Sequence, residues 1–208
     1  MKEIKFGIIF FDFDGVIKES VEIKSDAFER LFLPFGDAIV KKVRKHHEKN
    51  CGMSRLDKLP VYLKWSGQNA SKQLIEQYSD QFSLLVKERV VNSGWVDGVL
   101  DYLKSNHLGQ RFFLVTATPQ KEIEDILKQL KIIDYFEQIL GSPISKSQAL
   151  QMLLMQHGID PKQAVMIGDS IHDYEAATVS NINFILRKTN LNKKLQVQLN
   201  CPMIRDFL

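Results

Sequence analysis

The sequence predicts an α/β fold: a doubly wound, Rossmann-like parallel sheet with an α-helical domain inserted after its first strand. Two observations predict the sheet. Short, continuously apolar runs end at polar or glycine-containing turns, which is typical of strands covered on both faces, and amphipathic helical patterns alternate with these runs. A third observation predicts the insert, because a long stretch after the first run contains no comparable strand and shows successive helical patterns.

The predicted core elements follow one another along the chain in this alternating order. Strands are predicted over Ile4–Phe11, Arg111–Val115, Gln138–Leu140 and Ala164–Ile167. Helices are predicted over Val96–Ser105, Pro119–Leu130, Ser147–His157 and Tyr174–Ser180. In the tail, Leu191–Leu199 favours a last amphipathic helix and Met203–Phe207 a final edge strand.

The insert is predicted to be a helical cap over residues 18–92, so that the core consists of residues 1–17 and 93–208. Its helices are predicted over Glu22–Leu33, Asp37–Lys49, Arg55–Trp65 and Ser71–Val90. Small and polar residues at Lys18–Ser20 and Asn92–Gly94 predict the hinges. The basic run 41–47 favours a solvated helix face over a substrate-steering patch.

Composition limits the classes of partner. The chain has 208 residues, enough for one core and a smaller insert. Its net charge of +3, from 28 basic against 25 acidic residues, is too mild to predict a nucleic-acid partner. No run approaches the ~20 apolar residues of a membrane span, and two separated cysteines, Cys51 and Cys201, fit reduced thiols. We therefore expect a cytoplasmic protein that acts at neither a membrane nor a nucleic acid.

The first chemical constellation is the pair Asp12 and Asp14, which follows the first apolar run and precedes Gly15. A turn at the glycine lets both carboxylates face a crevice at the strand end. One carboxylate can attack phosphorus and bind a cation, while the other handles a leaving-group proton. A surface Asp-Gly turn is the alternative, but two charges after so apolar a run need a metal or other partners.

Three further strand ends carry polar side chains. Thr116, with the backbone amide of Ala117, can donate hydrogen bonds to a phosphate, although ordinary helix capping explains the same pattern. Lys146 can neutralise charge on Asp12 and a phosphoryl group, or it is simply solvated. Asp169 and Asp173 offer the hard oxygen ligands that Mg²⁺ prefers, or they form an acidic helix start.

Together and in this order, these four elements resemble the haloacid dehalogenase superfamily, from Ile4 to about Ile185. The resemblance implies Asp12 as nucleophile and Asp14 as general acid and base. It also implies that Thr116 and Ala117 bind phosphate and that Lys146 steadies both nucleophile and phosphate. Mg²⁺ would be held by Asp12, the backbone carbonyl of Asp14 and Asp169, with Asp173 supporting it directly or through water.

The resemblance also implies a substrate class. Dehalogenases lack the second aspartate, so Asp14 favours phosphate transfer from a small phosphorylated metabolite. The insert resembles the helical cap of the β-phosphoglucomutase-like branch, in which an arginine like Arg55 of Gly52-Met53-Ser54-Arg55 meets the substrate or its distal phosphate. A solvated helix-start charge is the alternative for Arg55.

Lys24 stands where those mutases usually have a histidine, which favours hydrolysis over transfer within one sugar, and a sugar phosphate is the expected substrate. A hexose phosphomutase and a non-catalytic binding domain are the competing hypotheses. The expected state is a monomer or a weak homodimer.

Overall fold

The computed structural model describes residues 4–106 and 109–208 and contains a six-stranded parallel sheet. Its strands are β1 Ile8–Phe11, β2 Arg111–Pro119, β3 Gln138–Ser142, β4 Ala164–Gly168, β5 Asn183–Arg187 and β6 Met203–Ile204. Their spatial order is β3-β2-β1-β4-β5-β6, and every neighbouring pair is parallel. The chain moves outward from β1 on one side and returns to β4 on the other. That reversal creates a crevice outside the carboxyl ends of β1 and β4.

Helices surround the sheet and fill the insert. Of the described α-helices between β1 and β2, the first four form what we call the helical insert: α1 Val21–Phe32, α2 Asp37–Lys49, α3 Arg55–Trp65 and α4 Lys72–Val91. The others are α5 Val99–Ser105, α6 Gln120–Gln129, α7 Lys146–Gln156, α8 Ile171–Val179 and α9 Lys193–Gln198. The predicted fold class is confirmed. Within the described ranges, none of these helices has the length and apolarity that a membrane crossing requires.

The strands are continuously apolar because both faces of the sheet are covered. Ile9 and Phe11 belong to one buried cluster, while Ile8 and Phe10, which point the opposite way, belong to a second. This alternation follows from the period of two along a strand. The first cluster continues without a break into the helical insert, where it includes Phe28 of α1.

Several predicted boundaries differ from the structure. Strand β2 continues past Val115 to Pro119, with a shift in its register against β3. Helix α8 begins at Ile171, before the predicted Tyr174, because Ser170 and Asp173 form a capping box there. Strand β5 had no counterpart in the prediction, and the predicted edge strand shortens to the two residues of β6.

The basic run 41–47 is only partly the solvated helix face that the sequence predicts. Helix α2 packs against α1, and this contact buries Val43 and His47 on one side of the run. The lysines Lys41, Lys42 and Lys45 on the other side are exposed, as predicted.

Candidate active site

The predicted polar residues converge at the carboxyl ends of β1, β2 and β4. The backbone N–H of Asp12 donates to the carbonyl of Ile167 in β4 at 3.0 Å, which holds the two strand ends side by side. Asp12 follows β1 and Asp169 follows β4, while Thr116 lies inside the extended β2. All three side chains are buried. The crevice at the reversal of the sheet is therefore lined by acids and a hydroxyl.

Lys146 joins two of the predicted acids. Its Nζ lies 2.9 Å from Asp12 Oδ2 and 2.5 Å from Asp173 Oδ1. It is the first residue of α7, whose preceding Ser145 forms a capping box. Lys146 is thus fixed by the start of a capped helix, and the solvated alternative for this lysine is wrong.

Asp173 has two structural tasks. Its Oδ2 accepts hydrogen bonds from the hydroxyl of Ser170 at 2.5 Å and from the backbone N–H of Ser170 at 3.1 Å. Its Oδ1 faces Lys146. One carboxylate therefore caps α8 and also connects that helix to the start of α7.

Asp12, Asp169 and Asp173 form a cluster in which one oxygen from each lies within 4.8 Å of the others. Burial raises the pKa of Asp12 to about 7 and that of Asp169 well above its usual range, and the neighbouring acids add to both shifts. Although burial opposes it, the charges of Asp12 and Asp173 raise the pKa of Lys146.

The charge of this cluster fits a divalent cation. Three carboxylates face one ammonium group, so two negative charges are left unbalanced when all three acids are ionised. Hard oxygen donors of this kind suit Mg²⁺. The side chain of Asp14 lies outside the cluster.

Asp14 is surrounded by hydrogen-bond donors. Its Oδ1 accepts from Ser20 Oγ at 2.6 Å, and its Oδ2 accepts from Thr118 Oγ1 at 3.3 Å and forms an ion pair with Lys24. Burial would raise the pKa of Asp14, but the charge of Lys24 and the hydrogen bonds from Lys24 and Ser20 hold it below its usual range. Asp14 is thus stabilised as a carboxylate.

Gly15 allows the Asp12–Asp14 turn to approach the fourth strand. Its φ of +75° lies in the left-handed region that favours glycine. A Cβ added there would lie 2.3 Å from Asp169 Oδ2. Both the conformation and the space at this position therefore require glycine, and the turn is an integral part of the site rather than a surface feature.

The two phosphate ligands predicted at Thr116 and Ala117 lie near the carboxyl end of β2. Thr116 is buried, and its Oγ1 accepts a hydrogen bond from the backbone N–H of Thr118 at 3.3 Å. Ala117 lines the same cavity as Asp12 and Asp14.

The two predicted substrate contacts from the helical insert reach the core. Lys24 of α1 pairs with Asp14 and also donates to Thr118 Oγ1 at 2.8 Å. Arg55 of α3 forms a buried ion pair with Glu122 of α6. The guanidinium of Arg55 also donates to Ser83 Oγ at 2.8 Å. Burial contradicts the solvated alternative for Arg55, and its guanidinium is committed to the contact between insert and core.

The helical insert closes the site to a small cavity of about 30 Å³. The cavity has room for about two water molecules. The insert packs closely against the core at Gly52, because a Cβ added there would lie 2.2 Å from Ser170 Oγ. The cavity is lined by Asp12, Asp14, Val21, Lys24, Phe28, His47, Cys51, Gly52, Met53, Arg55, Lys58, Phe82, Ala117, Thr118 and Asp169.

Sequence reasoning did not find several polar residues of this site: Ser20, His47, Lys58, Thr118 and Glu122. Most are brought in by contacts between distant segments, for which the sequence carries no local signal. Lys58 is the exception. It follows Arg55 by three residues on α3, so helical spacing alone places the two side chains on one face.

A family model described as haloacid dehalogenase-like hydrolase matches residues 9–187. The chain is 26% identical over 187 residues to a phosphorylated carbohydrates phosphatase of Thermotoga maritima, covering 85% of this chain and 82% of that protein. It is 29% identical over 211 residues to a phosphoglycolate phosphatase of Nitrosococcus oceani, covering 94% and 89%.

Among solved structures, β-phosphoglucomutase from Clostridium difficile is similar to the chain with a TM-score of 0.76 at 20% sequence identity. The similarity covers 97% of this chain and 92% of that one. At this identity the likeness supports the shared fold, including the helical insert between the first two strands.

Proposed function

The chain belongs to the haloacid dehalogenase-like hydrolase family, and on this basis we propose that it hydrolyses a small phosphomonoester in a magnesium-dependent reaction. The observation that carries the proposal is the environment of Asp12. A buried carboxylate lies beside Lys146 and two further acids, at the point where the sheet order reverses. Nucleophilic attack on a phosphoryl group needs this combination of a carboxylate and concentrated positive charge.

In the first half of the proposed reaction, Asp12 attacks phosphorus. A bond forms between its carboxylate oxygen and phosphorus, and the bond from phosphorus to the substrate oxygen breaks. Thr116, the backbone amide of Ala117 and Lys146 orient the phosphoryl group and balance its charge. Asp14 gives a proton to the departing alcohol.

In the second half, Asp14 takes a proton from water, which attacks the aspartyl phosphate, releases phosphate and regenerates the Asp12 carboxylate. The ion pair with Lys24 holds Asp14 in the ionised form that this step uses. Because Lys24 belongs to the insert and Asp14 to the core, opening of the insert would weaken the pair. The proton taken from water returns Asp14 to the protonated form with which the next cycle begins.

Magnesium would be held by Asp12, Asp169 and the backbone carbonyl of Asp14, with Asp173 supporting it. When bound, it would neutralise charge on the phosphoryl group and on the buried acids. The unbalanced negative charge of the cluster supports a divalent ion at this place.

The proposed substrate is a small phosphorylated metabolite, with a sugar phosphate as the first candidate. The matched relatives are named for phosphorylated carbohydrates and for phosphoglycolate, which supports a small organic phosphate. The proposed cap comprises residues 18–92, and the core comprises the remainder. The 30 Å³ cavity lined by Asp12 and Asp14 is too small for a phosphate ester, which supports opening of this cap to admit the substrate.

A hexose phosphomutase remains the second candidate, supported by the fold shared with β-phosphoglucomutase. Lys24 supports hydrolysis, since it stands where those mutases usually have histidine. Addition of a sugar bisphosphate together with a sugar monophosphate separates the two activities. A mutase yields the isomeric monophosphate, whereas a phosphatase yields inorganic phosphate.

Substitution of Asp12 by Asn tests the proposed nucleophile. The Asp12→Asn variant keeps the shape of the side chain but removes the attacking charge. We expect magnesium-dependent phosphate release from a panel of phosphomonoesters to fall roughly 10³-fold or more. The matched control is Asp101→Asn, at an exposed position of α5, which should keep wild-type turnover. Unchanged turnover in Asp12→Asn would reject the mechanism.

A further inference from the structure

Lys58 is a buried cation for which the protein supplies no ion-pair partner within the described ranges. It lies on α3, and only 1% of its surface is exposed. Its ammonium contacts His47 Nδ1 at 2.9 Å and the carbonyl of Cys51 at 3.5 Å. The other cations of the site, Lys24, Arg55 and Lys146, each pair with a carboxylate.

His47 adds a hydrogen-bond donor beside this lysine. Since the ammonium of Lys58 donates to Nδ1, the ring proton of the neutral imidazole lies on Nε2. His47 is 2% exposed, and its Nε2 has no hydrogen-bond partner among the described residues. An N–H group buried without an acceptor is costly. The pair therefore offers an ammonium group without a carboxylate partner and an N–H group without an acceptor among the described residues.

Both residues line the cavity that also contains Asp12 and Asp14. An unpaired charge at such a position is unfavourable. Burial lowers the pKa of Lys58 to about 7, and the charge of nearby Lys24 contributes to the shift. An anion entering the cavity would offset this cost, because it would pair with Lys58 and accept from His47.

We infer that Lys58 and His47 bind a second anionic group of the substrate, a carboxylate or a second phosphate, distal to the phosphoryl group at Asp12. The inference rests on the proposed phosphatase function and names its substrate class. The reacting phosphoryl group already has Lys146, Thr116 and the proposed metal on the core side. Lys58 and His47 belong to the insert and line the same cavity as Asp12 and Asp14, so they would meet the remainder of the substrate.

Three two-carbon phosphomonoesters test this assignment. Phosphoglycolate carries a carboxylate, ethylene glycol bisphosphate carries a second phosphate, and 2-hydroxyethyl phosphate carries a neutral hydroxyl group. p-Nitrophenyl phosphate serves as a generic substrate. We expect the wild-type protein to prefer one of the anionic compounds over the neutral one by roughly 10- to 100-fold in kcat/KM, mainly through KM. The preferred compound distinguishes a carboxylate from a phosphate.

The variant Lys58→Met removes the charge and keeps the length of the side chain. The preference for the anionic compound should fall to within about threefold of the neutral one, whereas Lys58→Arg should retain most of it. The control Lys64→Met alters an exposed lysine on the same helix and should leave the preference unchanged. Lys58→Met should also be at least as resistant to heat as the wild type, because it removes an unpaired buried charge. Lys58→Gln is the second variant if the first is unstable.

A merely structural role for Lys58 would lower stability and affect all substrates alike. The inference is overturned if either neutral variant retains the wild-type preference. It is also overturned if the wild-type protein hydrolyses p-nitrophenyl phosphate but does not prefer an anionic compound. If p-nitrophenyl phosphate and the other compounds release no phosphate at all, the proposed function itself fails.

Discussion

Asp12 and Asp14 are two residues apart, yet the fold shifts the pKa values of their carboxyl groups in opposite directions. Burial raises the pKa of Asp12, Lys146 opposes this shift, and the acidic neighbours Asp173 and Asp14 add to it. Asp14 is also buried, but Lys24 and Ser20 overcome that cost and lower its pKa. Two carboxylates with different proton affinities can take different roles in one reaction. The environment of each side chain, rather than its residue type, therefore sets the proton affinity of each carboxyl group in the metal-free protein.

The raised pKa of Asp12 predicts how the stability of the metal-free protein depends on pH. The folded state binds the proton of Asp12 more tightly than the unfolded state does. The stabilisation that comes from protonated Asp12 is therefore present at low pH. It is lost as pH rises from about 4, near the unfolded pKa, towards about 7. Mg²⁺ should remove the penalty at high pH, because it binds the ionised carboxylates. The free energy of unfolding with Mg²⁺ minus that with EDTA should grow by roughly 2 kcal/mol or more between about pH 5 and pH 8.

Urea unfolding at several pH values, with either Mg²⁺ or EDTA, measures this difference. The variant Asp169→Asn is the informative comparison, since it removes one acid of the cluster. It should stabilise the metal-free protein near pH 8 and shrink the effect of Mg²⁺. A magnesium effect independent of pH in the wild type would contradict the prediction.

At the scale of elements, helix starts position the chemistry. Ser145 caps α7 and thereby fixes Lys146, while Ser170 caps α8 through Asp173. Such capping patterns are local, although the helices were predicted to begin later, at Ser147 and Tyr174. The strand ends were predictable because each follows a short apolar run. Asp12, Lys146 and Asp169 could therefore be found from the sequence together with their approximate placement.

The contacts of the insert could not be predicted in this way. Arg55 meets Glu122, which lies 67 residues further along the chain, and Lys24 meets Thr118, 94 residues away. Amphipathic spacing predicts that α1 and α3 exist and which face is apolar, but not which core residue each helix meets. The burial of His47 illustrates the limit, since its charged neighbours favoured a solvated face until the packing of α2 on α1 was known.

The buried pair Arg55–Glu122 should contribute strongly to the attachment of the insert to the core. The two side chains are 4% and 6% exposed. Removal of either partner leaves a buried charge, so Arg55→Met and Glu122→Met should each lower the free energy of unfolding by roughly 3 kcal/mol or more. The double variant should lose much less than the sum of the two single variants. Urea unfolding of all four proteins measures this coupling.

The ion pair Lys87–Asp125 provides a matched control, because it also joins the insert to α6 but is exposed. Its removal by Lys87→Met should have little effect. If Glu122→Met were no more destabilising than Lys87→Met, the pair with Arg55 would not be a stabilising contact.

For the molecule as a whole, closure and catalysis place opposite demands on the insert. One apolar cluster extends from the sheet, at Phe11, into the insert, at Phe28. A continuous core of this kind favours the closed state in the absence of substrate. The cavity lined by Asp12 and Asp14 is too small for a phosphate ester, so binding of the proposed substrate would require the insert to move away from the core without itself unfolding.

The continuous cluster predicts that insert and core unfold in a single transition, despite a chain longer than most two-state domains. The protein has two tryptophans, Trp65 on α3 of the insert and Trp95 in the segment between α4 and α5. Trp65 packs on Tyr62, and Trp95 lies under the ammonium of Lys18, so each reports a different region. Each of the variants Trp95→Phe and Trp65→Phe retains one tryptophan. In each of them, the urea transition followed by fluorescence should coincide with the transition of the same variant followed by circular dichroism. If the Trp65 signal were lost at lower urea than the helical signal, the insert would be an independently unfolding unit, and the shared core would not couple it to the sheet.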